Sequence, residues 1–403
     1  MSWKDIRLEQ EERLAPYAAR SKDSLGRLVK ERDCTVRCDF ERDANRILYS
    51  EDFRRLRHKT QVFFNAKNDH ICTRMEHVLY VNSISNTIGR TLNLNQDLLS
   101  AIALGHDIGH APFGHSGERT LSRLVHEINP KLSFHHENHS LRVADRLSKR
   151  ISQEKINGNC GLNLTYEVRD GIVSHCGENY DEYILTADRT KKPENIYTTD
   201  HRHVMPFTLE VCLVRLVDKI AYVGRDIEDA VRAQLISRDY ISGEVRNVLG
   251  STNGEIINTL VEDVIENSIG RDCIRLSDEK GLALKELIEQ NNSNIYKSDM
   301  IIQYEKNASN SMEGLFKMFY KYVCEIMGEA LSLIPERQNE IPREIIESLI
   351  KTDTPSVKSR LAQYIIDKAY TREENLPEQI TADYIAGMTD AYALKTFEEL
   401  YWI

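Results

Sequence analysis

The segment His106-Asp107-Ile108-Gly109-His110-Ala111-Pro112-Phe113-Gly114-His115-Ser116-Gly117-Glu118 gathers three histidines, an aspartate and a glutamate within thirteen residues. Imidazole nitrogens and carboxylate oxygens are donors for borderline and hard divalent cations. The same groups carry protons near neutral pH. The glycines and Pro112 interrupt any smooth helix, so the backbone must take a particular turn here. Ligands and bases on a held backbone read as an active site.

Outward from this turn the pattern is helical. Residues 71–92 carry Ile71, Met75, Val78, Val81, Ile84 and Ile88 at helix spacing, and residues 96–107 form a second helix running into His106-Asp107. Ser116 stands where it would cap the helix that follows. Residues 137–150 make another helix. Residues 207–235, after Pro206, form a long one with Leu209, Leu213, Leu216, Val217, Ile220, Val223 and Ile227 on its core side. Residues 1–50 are charged and irregular, with turn signals at Ser24-Leu25-Gly26 and Asp33-Cys34, while 151–164 and 186–205 read as loops or a short hairpin. Helical patterning returns from about 240 to the end. There is no internal repeat and no low-complexity linker. The expected architecture is therefore all-α and one compact body: a helical core at 61–235, an N-terminal segment at 1–60 packed on it, and a C-terminal helical extension at 236–403.

Composition narrows the function. Hydrophobic residues make up 41% and charged residues 29% of 403, the balance of a globular chain large enough for a sizeable core. No run of eighteen apolar residues is present, and Met1-Ser2-Trp3-Lys4-Asp5 lacks a signal core, so the expectation is a cytoplasmic protein without a membrane partner. A net charge of −10 argues against a general nucleic-acid coat, and it obliges any anionic substrate to meet a metal and a local basic cluster. The eight cysteines, at 34, 38, 72, 160, 176, 212, 273 and 324, show no repeating spacing and read as reduced, incidental thiols. Cys34-x-x-x-Cys38 would open a zinc site only if a second pair followed at a fitting distance, and none does.

Two more residues stand out. His77 lies mid-way along the 71–92 stripe, and Asp218 interrupts an apolar helix, where an ionised carboxylate is costly unless paired or metal-bound. In the order His77, His106-Asp107, Asp218 the chain resembles the HD superfamily of metal-dependent phosphohydrolases, and within it the dGTPase-like branch of deoxynucleoside triphosphate triphosphohydrolases. Several blocks carry the resemblance: Phe53 to Phe63, Thr73-Arg74-Met75-Glu76-His77, the opening segment through Glu118, Phe134-His135-His136-Glu137, Asp218 to Asp226, and Asp383 to Asp390. Lys219 and His136-Glu137 stand closer to the eukaryotic members than to most bacterial ones.

The resemblance implies an HD-domain helical bundle that attacks the α-phosphorus with water, releasing deoxynucleoside and intact tripolyphosphate. It implies His77, His106, Asp107 and Asp218 as metal ligands, with manganese or magnesium the expected ion and iron, zinc, nickel or cobalt compatible with the donors. His115 is assigned as proton carrier with Glu118 orienting it; the two are i, i+3 neighbours at a helix start. His110 is expected at the α-phosphate or the water, and His136, with Glu137 beside it, is a second acid/base candidate. Which histidine acts as acid, and which base is preferred, stay open. The family also implies a homo-oligomer and a dNTP or single-stranded DNA effector.

Arg74 lies one turn before His77 and reaches the same face, so it can meet phosphate beside the metal. Lys219 adds a point charge directly after Asp218. Asp218, Tyr222 and Asp226 recur every four residues, a spacing that drifts about 40° per step and so forms one polar stripe. On it Tyr222 is placed to pack on a sugar without a 2′-hydroxyl and Asp226 to accept from the 3′-hydroxyl, with Gln61 at a family position that also touches the sugar.

Plainer readings stand beside these. Asp218 has a minority reading as ion-pair partner of Arg215 or Lys219, and Tyr222 as plain core. Arg54, Arg55, Arg57 and Lys59 read either as a solvated basic face or as phosphate contacts, with structural salt bridges an equal reading for Arg55 and Arg57. His126 and His139 read as structural or surface, His175 as structural with a site role as the alternative, His201 and His203 as exposed, and the 383–390 block as a packing element. The competing functions are another HD phosphohydrolase (a nucleotidase, cyclic-nucleotide phosphodiesterase or alarmone hydrolase) and a non-catalytic nucleotide sensor.

Overall fold

Thr73 opens the helix that carries His77. Its hydroxyl accepts from the Glu76 N–H while the Glu76 carboxylate accepts from the Thr73 N–H, a reciprocal cap contributing about 1 kcal/mol. The structure, a computed structural model, describes residues 3–62, 71–149, 161–176, 182–237, 240–349 and 356–402. Among them lie 17 α-helices and a single two-stranded sheet, Ile184–Leu185 antiparallel to Ile274–Arg275, so the fold is all-α. Nine helices position the site: α1 (Arg74–Thr91), α2 (Gln96–Gly105), α3 (Gly114–Ile128), α4 (His136–Arg142), α5 (Tyr166–Ser174), α6 (Leu209–Arg232), α7 (Asp299–Ser332), α8 (Pro377–Ala386) and α9 (Asp390–Tyr401).

The apolar spacing explains the packing. α1 buries His77, Val78, Val81, Ile84, Ser85 and Ile88 on one side, which faces α2 and α6. α6, capped by Thr208, is buried on nearly every face and forms the axis of the core, as expected of a helix hydrophobic all round. α5 closes against α2 and α6, and α4 lies on α5. α3 leads away from the turn into the C-terminal half, where α7 and α8 pack on it. No helix among the described residues is long and apolar enough to cross a membrane.

Several boundaries differ from the sequence reading. The 137–150 helix ends at Arg142 and continues as a π turn, Val143–Leu147; the 207–235 helix runs only from Leu209 to Arg232. Ser116 is not the cap of α3. That helix starts at Gly114, and its N-cap is Phe113 in the left-handed region (φ 63°), with the Ser116 hydroxyl instead donating to the Glu305 carbonyl at 3.2 Å. His201 is buried rather than exposed, because Ile196 O and Ser174 Oγ satisfy its two ring nitrogens at 2.9 and 3.0 Å. The loop expected over 151–164 lies outside the described residues up to 160, as do Cys160 and Phe63.

Candidate metal and catalytic site

The ends of α1 and α2 and the middle of α6 bring His77, His106, Asp107 and Asp218 together. His77 Nε2 lies 2.8 Å from Asp218 Oδ1 and His106 Nε2 lies 3.7 Å from Asp107 Oδ2, with the two imidazole rings 5.6 Å apart. One donor atom from each of His77, His106 and Asp107 falls within a 4.8 Å sphere of separations, and so does one from each of His106, His175 and Asp218. His106 Nδ1 lies 2.8 Å from the Ala103 carbonyl, which can only accept. The proton therefore sits on Nδ1, and Nε2 presents its lone pair to the cluster. That Nε2 is buried and has no hydrogen-bond partner. An orphaned imidazole lone pair facing two carboxylates fits a divalent cation, and a carbonyl-anchored tautomer is the usual support of a metal-binding histidine.

Charge in this corner is tightly arranged. Burial alone would raise the Asp107 pKa, but the Arg74 guanidinium, donating from Nη1 to Oδ2 at 2.6 Å, and His106 hold it well below the ordinary value. Asp218 is likewise pulled down against burial by its bond to His77. Asp218 is not paired with Arg215, whose Nη2 donates to Glu182 at 2.6 Å. Arg74 itself is 2% exposed, and its Nε and Nη2 are buried without a partner, so most of this cation is left to be met by an anion.

Beside the metal corner stands a histidine cluster joined by one carboxylate. Glu118 on α3 lies 3.2 Å from His115 Nδ1 and 3.0 Å from His136 Nδ1, and also accepts the His136 backbone N–H at 2.9 Å. His115 faces solvent while His136 is buried. The His110 ring stacks on His136 at 4.5 Å, with both its nitrogens buried and unpartnered. Burial disfavours the His110 cation and Arg74 and His136 add to that, so its pKa falls well below the usual histidine value. Burial opposes the His136 imidazolium as well, yet the Cys176 sulfur and Glu118 together raise its pKa well above that value. Glu137 lies 3.5 Å from His136 Nδ1.

The remaining candidates fall in two groups. Gln61 is partly buried, with its Oε1 unpartnered, and its backbone carbonyl and Arg74 Nη2 both lie against Gly114. Lys219 is buried beside the same corner, and burial brings its pKa down to about 8. Tyr222 is half-buried against the apolar core. Asp226 is drawn aside: its carboxylate accepts a short hydrogen bond from Tyr296, and burial pushes its pKa up to about 7. Two residues at the cluster were not singled out for chemistry by the sequence. His175 and Cys176, at the end of α5, place Nε2 and Sγ 3.1 Å apart, with the His106 ring 4.8 Å from His175. Their only signal was the adjacent His-Cys pair itself.

The turn that carries these groups is held by backbone bonds from afar. Gly109 N donates to Ser140 Oγ at 3.0 Å and Gly109 O accepts from His139 Nδ1 at 2.7 Å. A Cβ at Gly109 would stand 2.2 Å from Ser140 N, so only glycine allows α4 this close. Lys59 Nζ donates to the His110 carbonyl and, at 2.7 Å, to that of Ala386. Asp390 accepts the Phe113 N–H at 2.9 Å and both the N–H and the hydroxyl of Thr60. Asp383 accepts three bonds from Arg142, one from Gln379 and one from Tyr370, and lies 3.5 Å from His139. Thus Lys59 is a buried structural cation rather than part of a solvated face. Arg55, bonded to Asp52 and to the Gly387 carbonyl at 2.7 Å, is structural too.

Two family models match the chain: an HD domain over residues 74–223 and a phosphohydrolase-associated domain over residues 329–399. The first spans the metal corner and the histidine cluster; the second contains Asp383 and Asp390. A deoxyguanosinetriphosphate triphosphohydrolase-like protein of Caldanaerobacter subterraneus is 37% identical over 388 residues, which cover 96% of this chain and 92% of that one. Proteins of the same description from Clostridium tetani and Desulfatibacillum aliphaticivorans are 34% and 33% identical, covering 98% and 96% of this chain and 95% of each relative.

Proposed function

Given that the chain belongs to the HD-domain family of deoxyguanosinetriphosphate triphosphohydrolase-like proteins, we propose that it hydrolyses deoxynucleoside triphosphates to deoxynucleoside and tripolyphosphate. A phosphohydrolase with a divalent cation is what the family membership supports directly; the triphosphate substrate is our reading. It rests above all on one observation. The orphaned His106 Nε2 sits among His77, Asp107 and Asp218, directly beside a buried guanidinium with two unpartnered nitrogens. A cation site next to an unmatched buried Arg suits a substrate carrying several phosphates.

When bound, a divalent ion held by His77, His106, Asp107 and Asp218 supplies Lewis acidity at a phosphoryl oxygen and lowers the pKa of a bound water. Arg74, through Nε and Nη2, and Lys219 neutralise the phosphate chain against the net negative field of the protein. His115 carries the proton to the leaving 5′-oxygen, oriented by Glu118, and His136 shares the same carboxylate as the buried second acid/base. His110 lies beside both rings and lends an unpartnered nitrogen to the α-phosphate or the water. Tyr222 and Gln61 line the sugar. Asp226 reaches the 3′-hydroxyl only by exchanging its bond with Tyr296.

The test is product analysis. Purified protein with manganese or magnesium is given each dNTP in turn, and tripolyphosphate with deoxynucleoside is the expected outcome. Orthophosphate or pyrophosphate as product points to a different HD phosphohydrolase, and absence of turnover with every metal and added nucleotide points to a sensor. Within the same assay Tyr222→Ala is expected to admit ribonucleotides, and unchanged discrimination removes Tyr222 from the sugar site.

A further inference from the structure

Cys176 Sγ lies 3.1 Å from His136 Nε2 and 3.1 Å from His175 Nε2. Both imidazoles are anchored from behind. His136 Nδ1 faces the Glu118 carboxylate at 3.0 Å, and His175 Nδ1 lies 2.7 Å from the Ile172 carbonyl. Neither partner can donate, so both Nδ1 atoms carry hydrogen, and both Nε2 atoms converge on one sulfur. A carboxylate behind one imidazole and a backbone carbonyl behind the other is the arrangement that supports metal-ligating histidines. All three residues are among those whose donor atoms lie within 4.8 Å of one another.

Two weak hydrogen bonds join the trio. With His136 as imidazolium, its Nε2–H donates to Sγ, and the thiol S–H donates to His175 Nε2. Sulfur is a weak donor and a weak acceptor, so these contacts hold the three groups together with little energy. A cation in place of those protons bonds the sulfur and both nitrogens directly.

The geometry points to a second, sulfur-containing cation site formed by Cys176, His136 and His175, next to the HD metal corner and distinct from it. A thiolate with two imidazoles selects zinc or cobalt(II) over magnesium or manganese. Zinc bond lengths to sulfur and nitrogen place such ligands about 3.5 Å apart at a tetrahedral ion, so the 3.1 Å contacts open by only a few tenths of an ångström. Three protein ligands leave a fourth position open. Coordination releases the Cys176 S–H proton and the His136 Nε2 proton to solvent and changes no oxidation state. An ion here takes the Nε2 of His136, so zinc is an inhibitor of the magnesium- or manganese-supported reaction. That corollary rests on the proton role proposed for His136; the binding site does not.

Cobalt(II) tests the site without any substrate. The metal-stripped full chain is titrated with Co2+ while the near-ultraviolet thiolate-to-cobalt charge-transfer band is followed. Wild type is expected to develop the band and Cys176→Ala and Cys176→Ser to lose it, with cobalt affinity at this site falling about tenfold or more. Asp218→Ala, which disables the HD corner, is expected to keep the band. Retained binding of the first cobalt equivalent by Cys176→Ser shows that the variant is folded. No band in wild type at saturation overturns the proposal, as does a band undiminished in Cys176→Ala. Loss of the band in Asp218→Ala also overturns it, by making the sulfur part of the first centre.

Discussion

The corner of His77, His106, Asp107 and Asp218 and the bracket of Lys59, Asp383 and Asp390 are both made of buried charged groups, and they differ in what those groups touch. In the corner, side chains face one another and donor atoms stay unmatched: His106 Nε2 has no partner, and the neighbouring Arg74 keeps two free nitrogens. In the bracket the charges are committed. Lys59 is tied to the His110 and Ala386 carbonyls, Asp390 to the N–H groups of Thr60 and Phe113, and Asp383 to Arg142 and Tyr370. A buried polar group left unsatisfied costs free energy and points to a ligand. One that satisfies distant backbone points to shape. The bracket holds the turn on which the corner depends, across 277 residues of sequence in the case of Asp390 and Phe113.

This contrast predicts different losses on the two sides. Asp218→Ala is expected to have the largest effect: bound metal and turnover fall together, turnover by about a thousandfold or more, with the melting temperature little changed. Metal content and rate measured on the same sample check it, and full activity without Asp218 would remove the corner from the chemistry. His115→Ala is expected next, keeping the metal and losing turnover by about a hundredfold. A wild-type rate in that variant transfers the acid role to His136.

Asp390→Ala tests the bracket. It removes the carboxylate that accepts the Phe113 N–H and both the N–H and the hydroxyl of Thr60, so a stability loss of about 2–3 kcal/mol is expected. Turnover is expected to drop about tenfold through misplacement of the turn. Metal stoichiometry should not change; loss of the metal would show that the bracket and the corner are one unit.

Lys59 gives the smallest expected effect on turnover and the most specific one on stability. Burial, reinforced by Arg55, lowers its pKa to about 7, against an ordinary lysine value near 10.5 in the unfolded chain. Between these values the unfolded state binds the extra proton, so the Lys59 contribution to stability grows as pH rises from about 7 towards 10. The gap in unfolding free energy between wild type and Lys59→Met should therefore move in favour of wild type by up to about 1.4 kcal/mol per pH unit across that window. A gap independent of pH would mean that Lys59 keeps its charge at every pH.

The same contrast explains what could be read from the sequence. The pieces of the corner stood out in the sequence, Asp218 as a carboxylate in an apolar helix and His106-Asp107 in the glycine-rich turn, but it was the resemblance to the HD superfamily that grouped them with His77. The helical core and its order followed from apolar spacing. The bracket was not legible in detail. Lys59 sits in a run of exposed-looking basic residues, and nothing local shows that two carbonyls distant in sequence receive its ammonium. Ser116 failed as a cap because Asp390 already holds the N–H of Phe113, which moves the start of α3 back to Gly114. Asp226 kept the expected stripe but turned to Tyr296, a contact across 70 residues. His175 and Cys176 gave no spacing signal, since their partners are His136 on α4 and the α5 backbone.

In the function proposed above, His77, His106, Asp107 and Asp218 together hold one divalent cation. Anomalous diffraction at the manganese edge from crystals grown with Mn2+ tests it most directly. One strong peak within bonding distance of all four residues is expected. A peak elsewhere with none in this corner, or a peak that leaves out His77 or Asp218, would contradict it.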